Sequence, residues 1–260
     1  MQKSIECLSD GLTLRGTAHI PDMGKGKYPM VIIFHGFTAD RNEGLFGHTV
    51  LSRSLAKEGI ASVRFDFMGS GESDGEFQDM SLLTEVADGN AILDFVRKFD
   101  YVDTNRIGLH GMSQGGAVAG LLAAERNDDI AALSLWAPAI VLIDDCKKKN
   151  AAGIDITKIE EVGYADFHGI KLGSRYYIDA ISIDYYGKLK AYKKNAVIVH
   201  GDSDDLVPIS YSERAAEILG DKAKLMVVQG AGHDFGTLEY REACKNFTVE
   251  FFKKEFLEGK

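Results

Sequence analysis

Short runs of aliphatic and β-branched residues alternate along the chain with segments of helical period. Met30–His35 reads MVIIFH, Ile60–Asp66 IASVRFD, Arg106–His110 RIGLH, Ala132–Ala137 ALSLWA, Val197–His200 VIVH and Leu225–Val228 LMVV. Near-continuous apolarity over so few residues predicts strands buried on both faces, as in a parallel sheet covered by helices. Helices are expected between them near 45–58, 81–99, 114–126, 209–220 and 239–257. In the last, Tyr240, Ala243, Cys244, Phe247 and Phe251 share one face; in the second, Leu82, Val86, Leu93 and Val96 do. Ser4–Leu8 and Leu12–Ile20, joined by Asp10-Gly11, predict an N-terminal hairpin. One interval breaks the rhythm. Residues 140–194 precede the next buried strand, whereas a crossover connection needs only about a dozen residues. Tyr164, Phe167, Tyr176, Tyr177, Tyr185, Tyr186 and Tyr192 make this stretch too aromatic for a disordered linker. The pattern predicts an α/β core made of 1–139 and 195–260, with an inserted cap over 140–194.

Composition narrows the classes. The 260 residues carry 30 Lys+Arg against 39 Asp+Glu, a net charge of −9, with 45% hydrophobic and 27% charged residues. A chain of this length can bury a core without disulfide or metal staples. The acidic balance argues against nucleic acid and anionic membranes as partners. Cys7, Cys146 and Cys244 lie far apart without CxxC spacing and read as reduced thiols, which predicts a cytoplasmic chain. Met1–Gly11 has no apolar signal core, and the apolar stretch Ala131–Ile143 is interrupted by Ser134 and Pro138, too short to span a bilayer. No HExxH or EF-hand loop occurs, so neither metal nor organic cofactor is expected.

The candidate chemistry starts at Gly111-Met112-Ser113-Gln114-Gly115, a G-x-S-x-G run. It follows a predicted strand and opens a predicted helix, the context of a nucleophile elbow, whose glycines avoid clashes around a strained central serine. A serine hydroxyl needs a base, and the base needs an orienting acid. His200-Gly201-Asp202-Ser203-Asp204-Asp205 and Gly230-Ala231-Gly232-His233 follow the two late strands, so Ser113, Asp204 and His233 occur in the required order. Asp202 and Asp205 flank Asp204 and remain alternatives. Two backbone donors are needed for the oxyanion. Gln114 N–H is one; Phe37 N–H, after His35-Gly36, is the other. His35, His110 and His200 end strands and read as structural. Gly69–Gly75 lacks a phosphate-loop pattern and reads as a tight turn.

Taken together, HGF (His35 to Phe37), D-x-x-G-x-G-x-S (Asp66 to Ser73), GxSxGG, HGxxDxxVP and GxGH resemble the α/β-hydrolase family over essentially the whole chain. Within it the chain is most similar to bacterial cinnamoyl (feruloyl) esterases, through HGF, SQGG and a cap of this length. The elbow differs in carrying Met112 where those esterases usually have histidine. The resemblance implies a serine carboxylesterase in which an Asp and a Tyr of the cap bind the ring hydroxyl of an aromatic acyl group. By position these are Asp145 and Tyr176, with Asp144 and Tyr177 one residue away. Other reactions on the same triad stay open: short-chain acyl esters, thioesters or peptides. So does a non-catalytic binding protein of this fold. The expected partner is a small-molecule ester, and a homodimer is left open.

Overall fold

The computed structural model describes every residue except Met23, Lys25, Gly259 and Lys260. β1 (Gln2–Ser9) and β2 (Leu12–His19) pair antiparallel, from Gln2 opposite His19 to Ser9 opposite Leu12. Asp10 and Gly11 both take positive φ (48° and 83°), as a two-residue hairpin turn matched to strand twist requires. Next come β3 (Tyr28–Phe34), α1 (Gly47–Lys57), β4 (Ala61–Phe65), α2 (Leu82–Val96), β5 (Val102–Met112), α3 (Gln114–Glu125) and β6 (Ala132–Trp136). An inserted segment then runs through α4 (Val141–Lys147), β7 (Asn150–Ala151), β8 (Ile154–Asp155), α5 (Ile159–Val162), β9 (Tyr164–Phe167), β10 (Ile170–Gly173) and α6 (Ser174–Ser182). The chain returns to the core with α7 (Tyr185–Leu189), β11 (Asn195–Gly201), α8 (Ser210–Leu219), β12 (Ala223–Val228) and α9 (Leu238–Lys253).

The main sheet has eight strands in the order β1-β2-β4-β3-β5-β6-β11-β12. The pairs β1–β2 and β2–β4 are antiparallel, and every later pair is parallel. Strand alternation divides the core. Met30, Ile32 and Phe34 of β3 pack in one cluster with Leu93 of α2 and Leu122 of α3. Val31 and Ile33 point the other way, into a cluster with Leu51 and Leu55 of α1 and Phe252 of α9. Helices therefore cover both faces, which is why the central strands read as unbroken apolar runs.

Two details differ from the pattern in the sequence. The buried face of α9 is Cys244, Thr248, Val249 and Phe252, rotated from the expected aromatic stripe. Thr248 can occupy it because its hydroxyl accepts a 2.8 Å hydrogen bond from the Trp136 indole N–H. The second detail concerns α7, which packs on α3 in the core: a Cβ on Gly120 would lie 2.1 Å from the Tyr185 hydroxyl. The inserted residues are thus those of α4 through α6, and their buried side chains, such as Ile143, Ile159 and Tyr176, join the same apolar cluster as β3 and α2.

Candidate active site

Ser113 sits where β5 turns into α3, with φ 53° and ψ −120°. A non-glycine residue held at such angles costs about 1–3 kcal/mol and persists only where its surroundings enforce it. Here they do. A Cβ on Gly111 would lie 2.1 Å from the Gly115 carbonyl oxygen, and one on Gly115 would lie 2.3 Å from that of Phe34. Ser113 N–H donates to the Trp136 carbonyl (2.9 Å), and Ala139 N–H donates to the Ser113 carbonyl (2.9 Å). The elbow is thereby tied to the strand beside it. Its hydroxyl is left facing the carboxyl end of the sheet.

His233 lies in the loop after β12, and its Nε2 is 2.9 Å from Ser113 Oγ. Its Nδ1 is 2.7 Å from Asp204 Oδ2. Since that carboxylate only accepts, Nδ1 carries the proton and Nε2 is free to take one from Ser113. Asp204 is 0% exposed at its side chain. Its Oδ1 accepts from Leu206 N–H (3.0 Å) and Val207 N–H (2.8 Å). Its Oδ2 is also 3.2 Å from His200 Nε2. Burial alone would raise the carboxyl pKa, but hydrogen bonds from His200, His233 and Val207 outweigh it and hold Asp204 well below the usual range. Asp202 instead accepts from Gly230 N–H (2.6 Å), bracing the His233 loop, and Asp205 lies on the cavity wall.

The loop after β3 closes over the serine: a Cβ on Gly36 would lie 3.3 Å from Ser113 Cβ. His35 is buried, donating from Nδ1 to the Gly36 carbonyl (2.9 Å) and accepting at Nε2 from Phe67 N–H (3.1 Å). Glu43 accepts from Gly36 N–H (2.7 Å). Among the described residues, neither Phe37 N–H nor Gln114 N–H has a partner within the protein. Both are available to a ligand oxygen, and the N-terminus of α3 adds its positive dipole there.

A cavity of about 560 Å³ opens over these groups, lined by Ser113, His233, Phe37, Leu142, Asp145 and Phe167 among others. Among the described residues, four carboxylates (Glu43, Asp145, Asp205 and Asp234) and no lysine or arginine line it. A separate apolar cleft of about 290 Å³ shares Glu43, Met112 and Asp234 with it, so Met112 stands in the wall between the two. Asp145 faces the cavity, whereas Asp144 is held by Lys147 and by the Tyr211 hydroxyl (3.0 Å). Burial pushes the Asp145 carboxyl up from its ordinary value. Tyr176 is not on the cavity wall. It is wholly buried, and its hydroxyl donates to Gln114 Oε1 (3.1 Å), so it is not placed to meet an acyl ring in the cavity. Tyr177 lies under the Lys149 ammonium, 3.7 Å from its ring centroid.

The sequence pattern singles out neither Glu43, which holds the loop after β3, nor Glu85, whose carboxyl accepts from Gln114 Nε2 (2.9 Å). Glu85 left one trace: an acid in phase with the apolar face of α2, beside Val86. The glycine-rich run after β4 wraps the buried Asp66, which accepts from Arg41 N–H (2.6 Å), from the Arg41 guanidinium and from Glu72 N–H (3.0 Å). The three cysteines are free and buried. Among the described residues no group of three or more His, Cys, Asp or Glu could hold a metal, and no helix is long and apolar enough to cross a membrane.

Residues 49–259 match the model of the prolyl oligopeptidase family. The chain belongs to that family. Its fold is the α/β-hydrolase fold. The structure is similar to that of Est1E from Butyrivibrio proteoclasticus bound to ferulic acid, with a TM-score of 0.86 and 30% identity over 95% of this chain and 98% of that one. A second Est1E structure gives 0.80 and 27%. Among curated relatives, an uncharacterized Escherichia coli protein is 35% identical over 42% of this chain, and the match spans only 36% of that relative's length. An uncharacterized Mycobacterium tuberculosis protein is 27% identical over 86% of this chain and 69% of its own. The family match and the structural similarity agree on the fold.

Proposed function

We propose that the chain is a serine carboxylester hydrolase working through an acyl-enzyme, with hydroxycinnamate esters as its preferred class. One observation carries the reading: His233 bridges Ser113 (2.9 Å) and Asp204 (2.7 Å) at the floor of an open cavity. Ser113 Oγ attacks the ester carbonyl carbon while its proton passes to His233 Nε2. The carbonyl oxygen, now an anion, accepts from Phe37 and Gln114 N–H, donors already aimed and needing no reorganisation. Asp204 stabilises the imidazolium without taking its proton. The carbon–oxygen bond to the alcohol breaks as His233 Nε2–H protonates the leaving oxygen. Water, deprotonated by His233, then attacks the acyl carbon; the bond to Ser113 Oγ breaks as His233 returns the proton to it, releasing the acid. These steps require no cofactor.

The cavity favours a neutral acyl group. Its four carboxylates disfavour polyanionic thioesters and repel the carboxylate product once formed. The inserted segment from α4 to α6 acts as the cap, whose Leu142 and Phe167 supply an apolar wall and whose Asp145 accepts from a ring hydroxyl. The similarity to a structure holding ferulic acid supports that acyl class. Family membership favours a second reading, peptide cleavage by the same triad. A panel of methyl ferulate, methyl p-coumarate, methyl butyrate and a peptide anilide separates them. The hydroxycinnamates should show the highest kcat/KM. Faster turnover of butyrate overturns the acyl preference, and faster turnover of the anilide favours the peptidase reading.

A further inference from the structure

Oxyanion stabilisation depends on donor placement to within a few tenths of an ångström, so whatever holds the two donors contributes to rate. Gln114 is fully buried, and its side chain points away from the cavity. Its amide lies between the Tyr176 hydroxyl (3.1 Å to Oε1), the Glu85 carboxylate (2.9 Å from Nε2) and the Met80 sulfur (3.4 Å from Nε2). The Tyr176 ring also packs on that of Phe37, with centroids 5.5 Å apart. Phe37 is held from two further sides by Phe77 (5.5 Å) and Phe167 (5.0 Å).

Tyr176 is itself held in a closed circuit. It sits on α6, as does Asp179, which accepts a 2.5 Å hydrogen bond from the Ser81 hydroxyl. Ser81 caps the N-terminus of α2 through Thr84 N–H (3.1 Å), and α2 carries Glu85. From α6 the path runs through Tyr176, Gln114, Glu85, α2, Ser81 and Asp179 back to α6. Each member fixes the next, so the inserted segment and the elbow are braced as one unit.

We propose that Tyr176 is a positioning residue of the oxyanion hole, gripping from the cap the side chains of both donor residues, Phe37 and Gln114. This rests on the serine-hydrolase reading above and replaces the acyl-contact role that the family resemblance implies. A positioning role has its own kinetic signature. The oxyanion exists only at and near the transition state, so loosening its donors lowers kcat and leaves KM unchanged, whatever the acyl group. An acyl contact would instead change KM, and only for esters whose ring carries a hydroxyl.

The test is Tyr176→Phe, which keeps the ring and removes the hydroxyl. It is assayed on p-nitrophenyl acetate, methyl cinnamate and methyl p-coumarate beside wild type and Ser113→Ala. The acetyl group is too small to reach the cap. Because Glu85 still holds Gln114, kcat should fall about 10-fold on all three, short of the 10²–10³ lost with an outright donor. KM should stay within about 2-fold, and a trifluoromethyl ketone, which forms a tetrahedral oxyanion on the serine, should bind more weakly by the same factor. Gln114→Met, which frees this side chain from both Glu85 and Tyr176, should lower kcat at least as far, and adding Tyr176→Phe to it should cost nothing more. If Y176F folds poorly, Q114M alone decides: wild-type kcat on p-nitrophenyl acetate overturns the proposal. So does a Y176F defect confined to the KM of methyl p-coumarate, or no defect at all. If Ser113→Ala keeps wild-type activity, or wild type itself is inactive, the serine-hydrolase reading fails and this proposal falls with it. If Ser113→Ala is dead while Y176F matches wild type, only this proposal falls.

Discussion

A buried carboxyl group stands on each side of Ser113, and the two are held in opposite ways. Asp204, on the histidine side, has two backbone N–H donors and two imidazoles around it and is kept ionised. Glu85, on the oxyanion side, has one amide donor, and burial drives its carboxyl well above the ordinary range, with Asp88 nearby adding to the rise. Glu85 is the deeper of the two and has fewer donors, and both differences push its carboxyl toward the neutral form. Asp204 is therefore suited to stabilise a cation that appears during the reaction. Glu85 is suited only to hold an amide still.

The same isosteric change at both sites would break that comparison if it is mistaken. Asp204→Asn should lower kcat by about 10⁴-fold, because the amide can neither balance the imidazolium nor impose the His233 tautomer. Glu85→Gln keeps an acceptor oxygen for Gln114 and should cost less than about 10-fold in kcat. Comparable losses in steady-state assays of the two variants would mean that Glu85 works as a charge.

A smaller effect sharpens the same contrast through pH. Asp88, on the same helix as Glu85, is pushed by burial from 3.8 to about 6 against hydrogen bonds from Met68 N–H and the Ser9 side chain. An acid protonated more readily in the folded than in the unfolded chain stabilises the fold fully below 3.8. That contribution is lost as pH rises through about 6. Thermal melts of wild type and Asp88→Asn from pH 4 to 7 should show wild type losing ground to the variant as pH rises. Parallel profiles would contradict the assignment. Activity at fixed pH should hardly move.

The contrast also marks what could be read from the chain alone. The core strands were legible because burial on both faces leaves apolar runs such as MVIIFH, and Ser113, Asp204 and His233 because strand ends and glycines frame them. The strands of the inserted segment have two to four residues, too short to impose a period. The face of α9 was misjudged because Thr248 is buried by a hydrogen bond to Trp136, 112 residues away. The resemblance makes Tyr176 an acyl contact, yet its partner Gln114 lies 62 residues distant. Local pattern identifies a group that must react with something outside the protein. Which side chain braces another is decided by tertiary contact.

The most direct test of the central claim is covalent labelling by a fluorophosphonate probe, read by intact mass and peptide mapping. Ser113 held against His233 should take up one probe per chain, on the Ser113 peptide alone, and Ser113→Ala should take up none. No adduct on wild type, or an equal adduct on Ser113→Ala, would contradict Ser113 as the nucleophile.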